Sequence, residues 1–137
     1  MIIDANNLVL GRLASFAAKQ ALLGEKVDII NSGEVIIVGD KRIILEKYRQ
    51  RRARGNPHHG PYFPIQADRI MKRTIRNMLP HKQYKGKKAF KNIRCYVGMP
   101  DNISKEGIQS VENAKMKSTT LKYIKLKELV YLLHSKE

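Results

Sequence analysis

The chain has 137 residues, 42% of them apolar, with 27 Lys and Arg against 12 Asp and Glu for a net charge of +15. That length supports one domain, 1–137, with a hydrophobic core, and the apolar fraction excludes a wholly disordered polyelectrolyte. No window approaches the ~18 consecutive apolar residues that a membrane span needs.

The charge is unevenly placed. Residues 41 to 94 hold 17 Lys or Arg and only two acids, Glu46 and Asp68, whereas residues 1 to 40 sum to −2 and 95 to 137 to +2. A positive field confined to one stretch has a dense polyanion as its counterpart, and nucleic acid is the leading candidate. Cys95 is the only cysteine, so no intrachain disulfide can form, which fits a reducing cytoplasm. Set in an apolar run, it reads as a small core residue and not a nucleophile. Met1-Ile2-Ile3-Asp4-Ala5 lacks the basic segment and apolar run of a secretory signal, so a cytoplasmic location is expected.

In chain order, Ile2 and Ile3 open a strand. Leu10, Leu13, Ala14, Ala17, Ala18 and Ala21 then recur at helical spacing, with Gly24 placed to end the helix in a left-handed turn. Between them, Asp4 to Gly11 has one glycine where a dinucleotide fingerprint needs several, and no Gly-Lys-Ser/Thr follows. Asp4 and Asn6 therefore read as groups that satisfy turn amides, and Gly11 as one that permits close helix packing. Val27, Ile29 and Ile30 form a second apolar run and Asn31-Ser32-Gly33 a turn. Val35-Ile36-Ile37-Val38 is continuous, β-branched and closed by Gly39, the pattern of a strand covered on both faces. Such strands belong to parallel sheets flanked by helices, so the expected fold class is α/β.

Asp40 is a good N-cap for a helix from Lys41, with Ile43, Ile44 and Tyr48 as its apolar side, fraying near Gly55. Pro57-His58-His59-Gly60-Pro61-Tyr62-Phe63-Pro64 excludes regular structure and predicts an extended loop ordered by its partner. Asp68 opens the next helix, which Pro80 stops after Leu79. Met71, Ile75 and Met78 share one face of it, and Arg69, Lys72, Arg73 and Arg76, at i, i+3, i+4 and i+7, line another. Ile93, Cys95 and Val97 alternate as a half-buried strand ending at Gly98. Residues 99 to 120 read as loop with a short helix, and Leu126, Leu129, Val130 and Leu133 as a last amphipathic helix.

Helix faces that are merely solvated mix charges of both signs. Residues 69 to 94 hold ten Lys or Arg and no acid, which favours anion binding. Beyond that helix Lys82, Lys85, Lys87, Lys88 and Lys91 add further cations, with Tyr84 and Phe90 among them; these rings could stack on exposed bases, and Phe90 suits the core equally. Arg49, Arg51, Arg52 and Arg54 form a denser cluster preceded by Lys41, Arg42 and Lys47, and a guanidinium fork can hold two phosphate oxygens at once. His58 and His59, adjacent on an extended chain, point to opposite sides and have no Cys, Asp or Glu nearby to complete a metal site. Their expected role is hydrogen bonding or stacking against nucleic acid. The rival reading is a nuclease using His58 or His59 with Asp4; neither metal nor cofactor is expected.

Several segments then combine. Ile3-Asp4-Ala5 with Leu10-Gly11-Arg12-Leu13-Ala14, Asn31-Ser32-Gly33-Glu34-Val35-Ile36-Ile37-Val38, Met78-Leu79-Pro80-His81-Lys82 and Arg94-Cys95-Tyr96-Val97-Gly98 resemble, in order and spacing, the signatures of the universal ribosomal protein thirteen family of the large subunit. Arg54-Gly55-Asn56-Pro57 with Gly60-Pro61-Tyr62 and Met78 to Lys82 is similar to its archaeal and eukaryotic branch, and the short N-terminus and modest length to the archaeal form. The resemblance implies a three-layer α/β/α domain around a four-stranded parallel sheet, with basic loop and helix extensions. It also implies binding of large-subunit rRNA beside neighbouring large-subunit proteins, support of early assembly, a ribosome-bound location and no catalysis. Carried over as RNA-contacting are Arg12, the loop from Arg54 to Tyr62 including His58 and His59, and Arg76 to Lys82 including His81. The remaining cations rest on charge alone. Residues 62 to 67 lack the Arg expected after the loop, and 101 to 137 match only loosely. An RNA-binding regulator acting off the ribosome fits the same residues.

Overall fold

A computed structural model describes residues 1–135. β1 (Ile2–Asp4) leads into α1 (Leu10–Leu22), followed by β2 (Val27–Ile30), a 3-10 turn at Ser32–Glu34 and β3 (Ile36–Val38). The basic stretch holds α2 (Lys41–Ala53), α3 (Ala67–Asn77) and α4 (Tyr84–Lys91). β4 (Ile93–Cys95), β5 (Ile108–Gln109), a 3-10 turn at Glu112–Ala114, β6 (Tyr123–Lys125) and α5 (Leu126–His134) follow.

α1 forms where the sequence places it because Leu10, Leu13, Ala14, Ala17, Ala18 and Ala21 bury one stripe, and Gly24 follows it at φ +96°. α2 starts at the expected cap, the Asp40 carboxylate accepting the Arg42 amide at 2.9 Å; that bond, with Lys122 beyond it, lowers the Asp40 pKa. Ile44 and Tyr48 are buried but Ile43 is 68% exposed, since α2 rests on α5 along a narrow stripe. α3 begins one residue before Asp68 and ends at Asn77. Met71 and Ile75 are buried together with Ile70, whereas Met78, beyond the last turn, is 44% exposed.

The fold is of the three-layer α/β class, with a four-stranded sheet of order β4-β2-β1-β5 as its middle layer. Every pairing in it is parallel. The steps from β1 to β2 and from β2 to β4 run the same way across the sheet, so right-handed crossover puts their helices on one face. α1 packs against α3 and α4 there, and both of those touch β4. Ile3, Val27, Ile29 and Ile93 are fully buried on that face, while on the other Ile2 and Asp28 are half-buried and Arg94 is exposed.

The strands depart from expectation in two places. Val35–Val38 does not join the parallel sheet: β3 pairs antiparallel with β6, Ile37 opposite Ile124, and Val38 is 49% exposed. A continuous apolar run reports burial but leaves the pairing partner open. The fourth parallel strand is instead β5, beside β1. It lies in the stretch expected to be loop with a short helix, and both its residues are exposed, so no apolar pattern marks it. The short helix there is the 3-10 turn at Glu112–Ala114. α4 was not expected either; it is anchored by buried Gly86 and Ala89. Val97 lies beyond β4 and is 56% exposed, and a Cβ at Gly11 would meet no atom within 4 Å, so close packing does not require that glycine. Cys95 packs against the core, where burial pushes its thiol up to about 12 and keeps it protonated.

Glu34 clamps the first 3-10 turn to the C-terminal elements. It accepts from Lys125 at 2.8 Å and from Lys127. These two bonds hold its carboxyl below the usual 4.5. Folding therefore favours the ionised form, and the resulting stability is present above the carboxylate range and lost as pH falls through the lowered native pKa. Glu34→Gln is expected to flatten the melting temperature against pH below about 4.5; an unchanged acid limb would show that the clamp contributes nothing.

Candidate nucleic-acid interface

The α3 cations do share one face, and the loop after α2 completes a depression over them. Arg69, Lys72, Arg73 and Arg76 line a hollow of about 600 Å³ with Tyr62, Phe63, Pro64, Ile65, Gln66, Phe90 and His134. Arg73 and Arg76 also border a hollow of about 270 Å³ with Arg51, Arg54, Tyr62 and Phe63. A third, of about 420 Å³, joins Arg76 to His81, Tyr84, Lys87, Lys88, Phe90 and Lys91. Arg76 is common to all three, so the hollows form one trough from the end of α2, across α3, to α4. Among the described residues no carboxylate lines any of them.

Aromatic rings position several of these cations. Tyr48 and Phe63 meet edge to face at 5.8 Å and 66°, and the Arg51 guanidinium lies 5.4 Å from the Tyr48 ring and 5.8 Å from that of Phe63. Lys72 Nζ stands 4.9 Å over Phe90, which is half-buried against the core. Phe90 thus serves the core and the charged surface together. Partial burial, and then the charge of Arg76, pull the Arg73 guanidinium below its ordinary value, as expected where two like charges adjoin without an acid. Arg76 Nε is buried and has no protein hydrogen-bond partner.

The proline-rich loop differs from the extended, partner-ordered segment read from the sequence, because it closes on itself. Asn56 donates to the Gly60 carbonyl at 3.0 Å and Gly60 to that of Asn56 at 2.7 Å. The His58 amide donates to Asn56 Oδ1 at 3.0 Å, and the Tyr62 hydroxyl to the Pro57 carbonyl at 2.7 Å. Gly55 makes this closure possible, with φ +90° and a position where a Cβ would lie 2.4 Å from Gly60 O. His58 and His59 are exposed at the tip. Asp4, the rival nuclease partner, instead accepts from the Asn6 amide and the Asn31 side chain, each at 3.0 Å. Among the described residues no three His, Cys, Asp or Glu side chains form a metal-holding group.

Other nominated residues line none of these three hollows. Arg12 donates to the Asn113 carbonyl at 3.4 Å, Lys41 pairs with Glu128 at 3.0 Å, and Arg52 donates to the Leu133 carbonyl. Arg42, Lys47 and Arg49 lie along α2, Lys82 is exposed in the turn before α4, and Lys85 faces Lys19 and Met78 across a separate depression. Two aromatic side chains of the trough, Phe63 and His134, were not named as site residues from sequence. Phe63 was readable as an aromatic beside Tyr62, whereas His134, brought in by α5, had no local signal.

Among the described residues no helix is long and apolar enough to cross a membrane. Fold and trough together define a small basic α/β protein with one trough lined by Arg, Lys and aromatic side chains. Residues 1–102 match the model of the family Ribosomal protein L13, and the chain belongs to that family. It is 43% identical over 137 residues to the large ribosomal subunit protein uL13 of Methanosarcina barkeri, covering 98% of each chain. Identity to the uL13 of Methanocaldococcus jannaschii is 44% over 132 residues, 93% of each. With that of Archaeoglobus fulgidus it is 38% over 130 residues, 93% of this chain and 83% of the relative. The chain is accordingly a structural, non-enzymatic protein, and the nuclease reading falls.

Proposed function

We propose that this protein is a structural constituent of the large ribosomal subunit that binds large-subunit rRNA and supports early subunit assembly, bound to ribosomes in the cytoplasm beside neighbouring large-subunit proteins. In this reading residues 1–137 act as one domain with 41–94 as its RNA-binding region. The observation that carries it is the trough converging on Arg76, which no carboxylate among the described residues lines. Arg51, Arg54, Arg69, Lys72, Arg73, Arg76, His81, Lys87, Lys88 and Lys91 meet phosphates there and displace counterions. A-form major grooves are too deep and narrow for side chains to read, so specificity comes from folded RNA shape, 2′-hydroxyls and unstacked bases.

Chemical footprinting of the protein on large-subunit rRNA, with a generic structured RNA as competitor, tests this. A discrete protected site that survives the competitor is expected. Diffuse protection that the competitor removes would reduce the protein to a nonspecific polyanion binder.

A further inference from the structure

We propose that the trough holds one unpaired nucleotide of the bound RNA, its base against the Tyr62 ring and its phosphate between Arg73 and Arg76. This rests on the rRNA-binding reading and adds a ligand and a site to it.

Tyr62 is an aromatic residue left 67% exposed, yet its hydroxyl is tied to the Pro57 carbonyl at 2.7 Å. The ring is therefore held in place with a face open to solvent, at the rim of the two hollows that it shares with Arg73 and Arg76. A paired A-form helix presents phosphates and 2′-hydroxyls but no base face, so an anchored bare ring is useful only to a base that has left its stack. The larger hollow, about 600 Å³, falls within the roughly 300–1,000 Å³ of small-ligand sites.

The anion end is equally specific. Arg73 and Arg76 share both hollows with no carboxylate among the described lining residues, so two guanidinium groups border the same open space with no acid beside them to neutralise them. A phosphate oxygen is the acceptor that a guanidinium edge fits best. The trough is open and has no glycine-rich phosphate loop, which disfavours a free mononucleotide. A nucleotide within RNA is delivered at high effective concentration by the contacts on either side.

The test uses two hairpin RNAs of equal phosphate number, one fully paired and one with a single bulged adenine, titrated by fluorescence anisotropy at fixed salt against the full-length protein. The wild type is expected to prefer the bulged RNA by roughly 5- to 150-fold, the range of one base stacked on an aromatic ring. Tyr62→Ala is expected to erase that preference while still binding the paired hairpin. Tyr62→Phe, which keeps the ring, is expected to retain most of the preference, and Arg76→Lys, which keeps the charge but not the fork, to lose part of it. Equal binding of both hairpins by the wild type, or a preference that persists in folded Tyr62→Ala, overturns the nucleotide site and leaves RNA binding intact. Failure to bind either hairpin overturns the nucleotide site, and the rRNA-binding reading then stands or falls with the footprint on large-subunit rRNA.

Discussion

Replacing Arg73 and Arg76 together by Glu is expected to weaken rRNA binding by at least 30-fold while leaving the fold in place. Each phosphate neutralised by a protein cation releases about 0.9 counterion, which at about 0.15 M salt is worth roughly fivefold in affinity. Two lost contacts thus cost about 25- to 30-fold, and reversed charge adds repulsion. For the wild type, engagement of about 6–10 phosphates makes affinity fall by about 10³ to 10⁵ between 50 and 200 mM salt. In the double variant the slope of log affinity against log salt should be shallower by about 2. α3 should survive because Ile70, Met71 and Ile75 anchor it in the core, and the new carboxylates would share their hollows with Arg51, Arg54, Arg69 and Lys72. Filter binding across a salt series, with circular dichroism as the folding control, measures all of this. A folded variant with wild-type affinity and slope would remove this face from the interface.

The second large effect is on stability. In Gly86→Ala the new methyl group would lie 2.0 Å from the Pro80 carbonyl oxygen, 2.3 Å from its carbon and 2.8 Å from the His81 nitrogen. These are backbone atoms, which cannot rotate aside, so α4 must lift from the turn that precedes it. Ala89, 3% exposed, would lose its packing, and Lys87, Lys88 and Lys91 would move with the helix. Overpacking of this kind costs about 1–3 kcal/mol or more. The ~1 kcal/mol that Ala gains over Gly in a helix offsets it only in part. Gly11→Ala is the contrasting case: no atom lies within 4 Å of its Cβ, so it should be neutral or stabilise by up to ~1 kcal/mol. Urea unfolding of the two variants decides the matter, and equal stabilities would show that α4 has room to move.

The helices and the cations were the most legible parts of the sequence. α1 is six apolar residues at helical spacing, and the Asp40 cap of α2 needs only residues two apart in the chain. The stripe of Arg69, Lys72, Arg73 and Arg76 follows from the helical period alone, so its gathering on one face of α3 was readable without coordinates. α4 was harder, since a run of Lys with a central Gly has little helix signal until the Pro80 contact is seen. The α/β class was reached correctly through the wrong strand. Val35–Val38 has the composition of a parallel strand but pairs antiparallel with β6, and the exposed two-residue β5 takes the expected place in the sheet.

By itself the sequence determined the helical segments other than α4, the confinement of positive charge to residues 41 to 94 and the family signatures. All of these depend on residue identity and on spacings of a few positions, where local geometry decides which side chains share a face. The tertiary structure alone decided the strand partners, the closure of the loop over Gly55, the diversion of Lys41 and Arg52 into contacts with α5, and the meeting of Tyr62, Arg76, Phe90 and His134 around one trough. Each of those joins groups far apart in the chain or turns on a left-handed glycine, and no periodic pattern encodes which distant partner a backbone edge or a guanidinium will find.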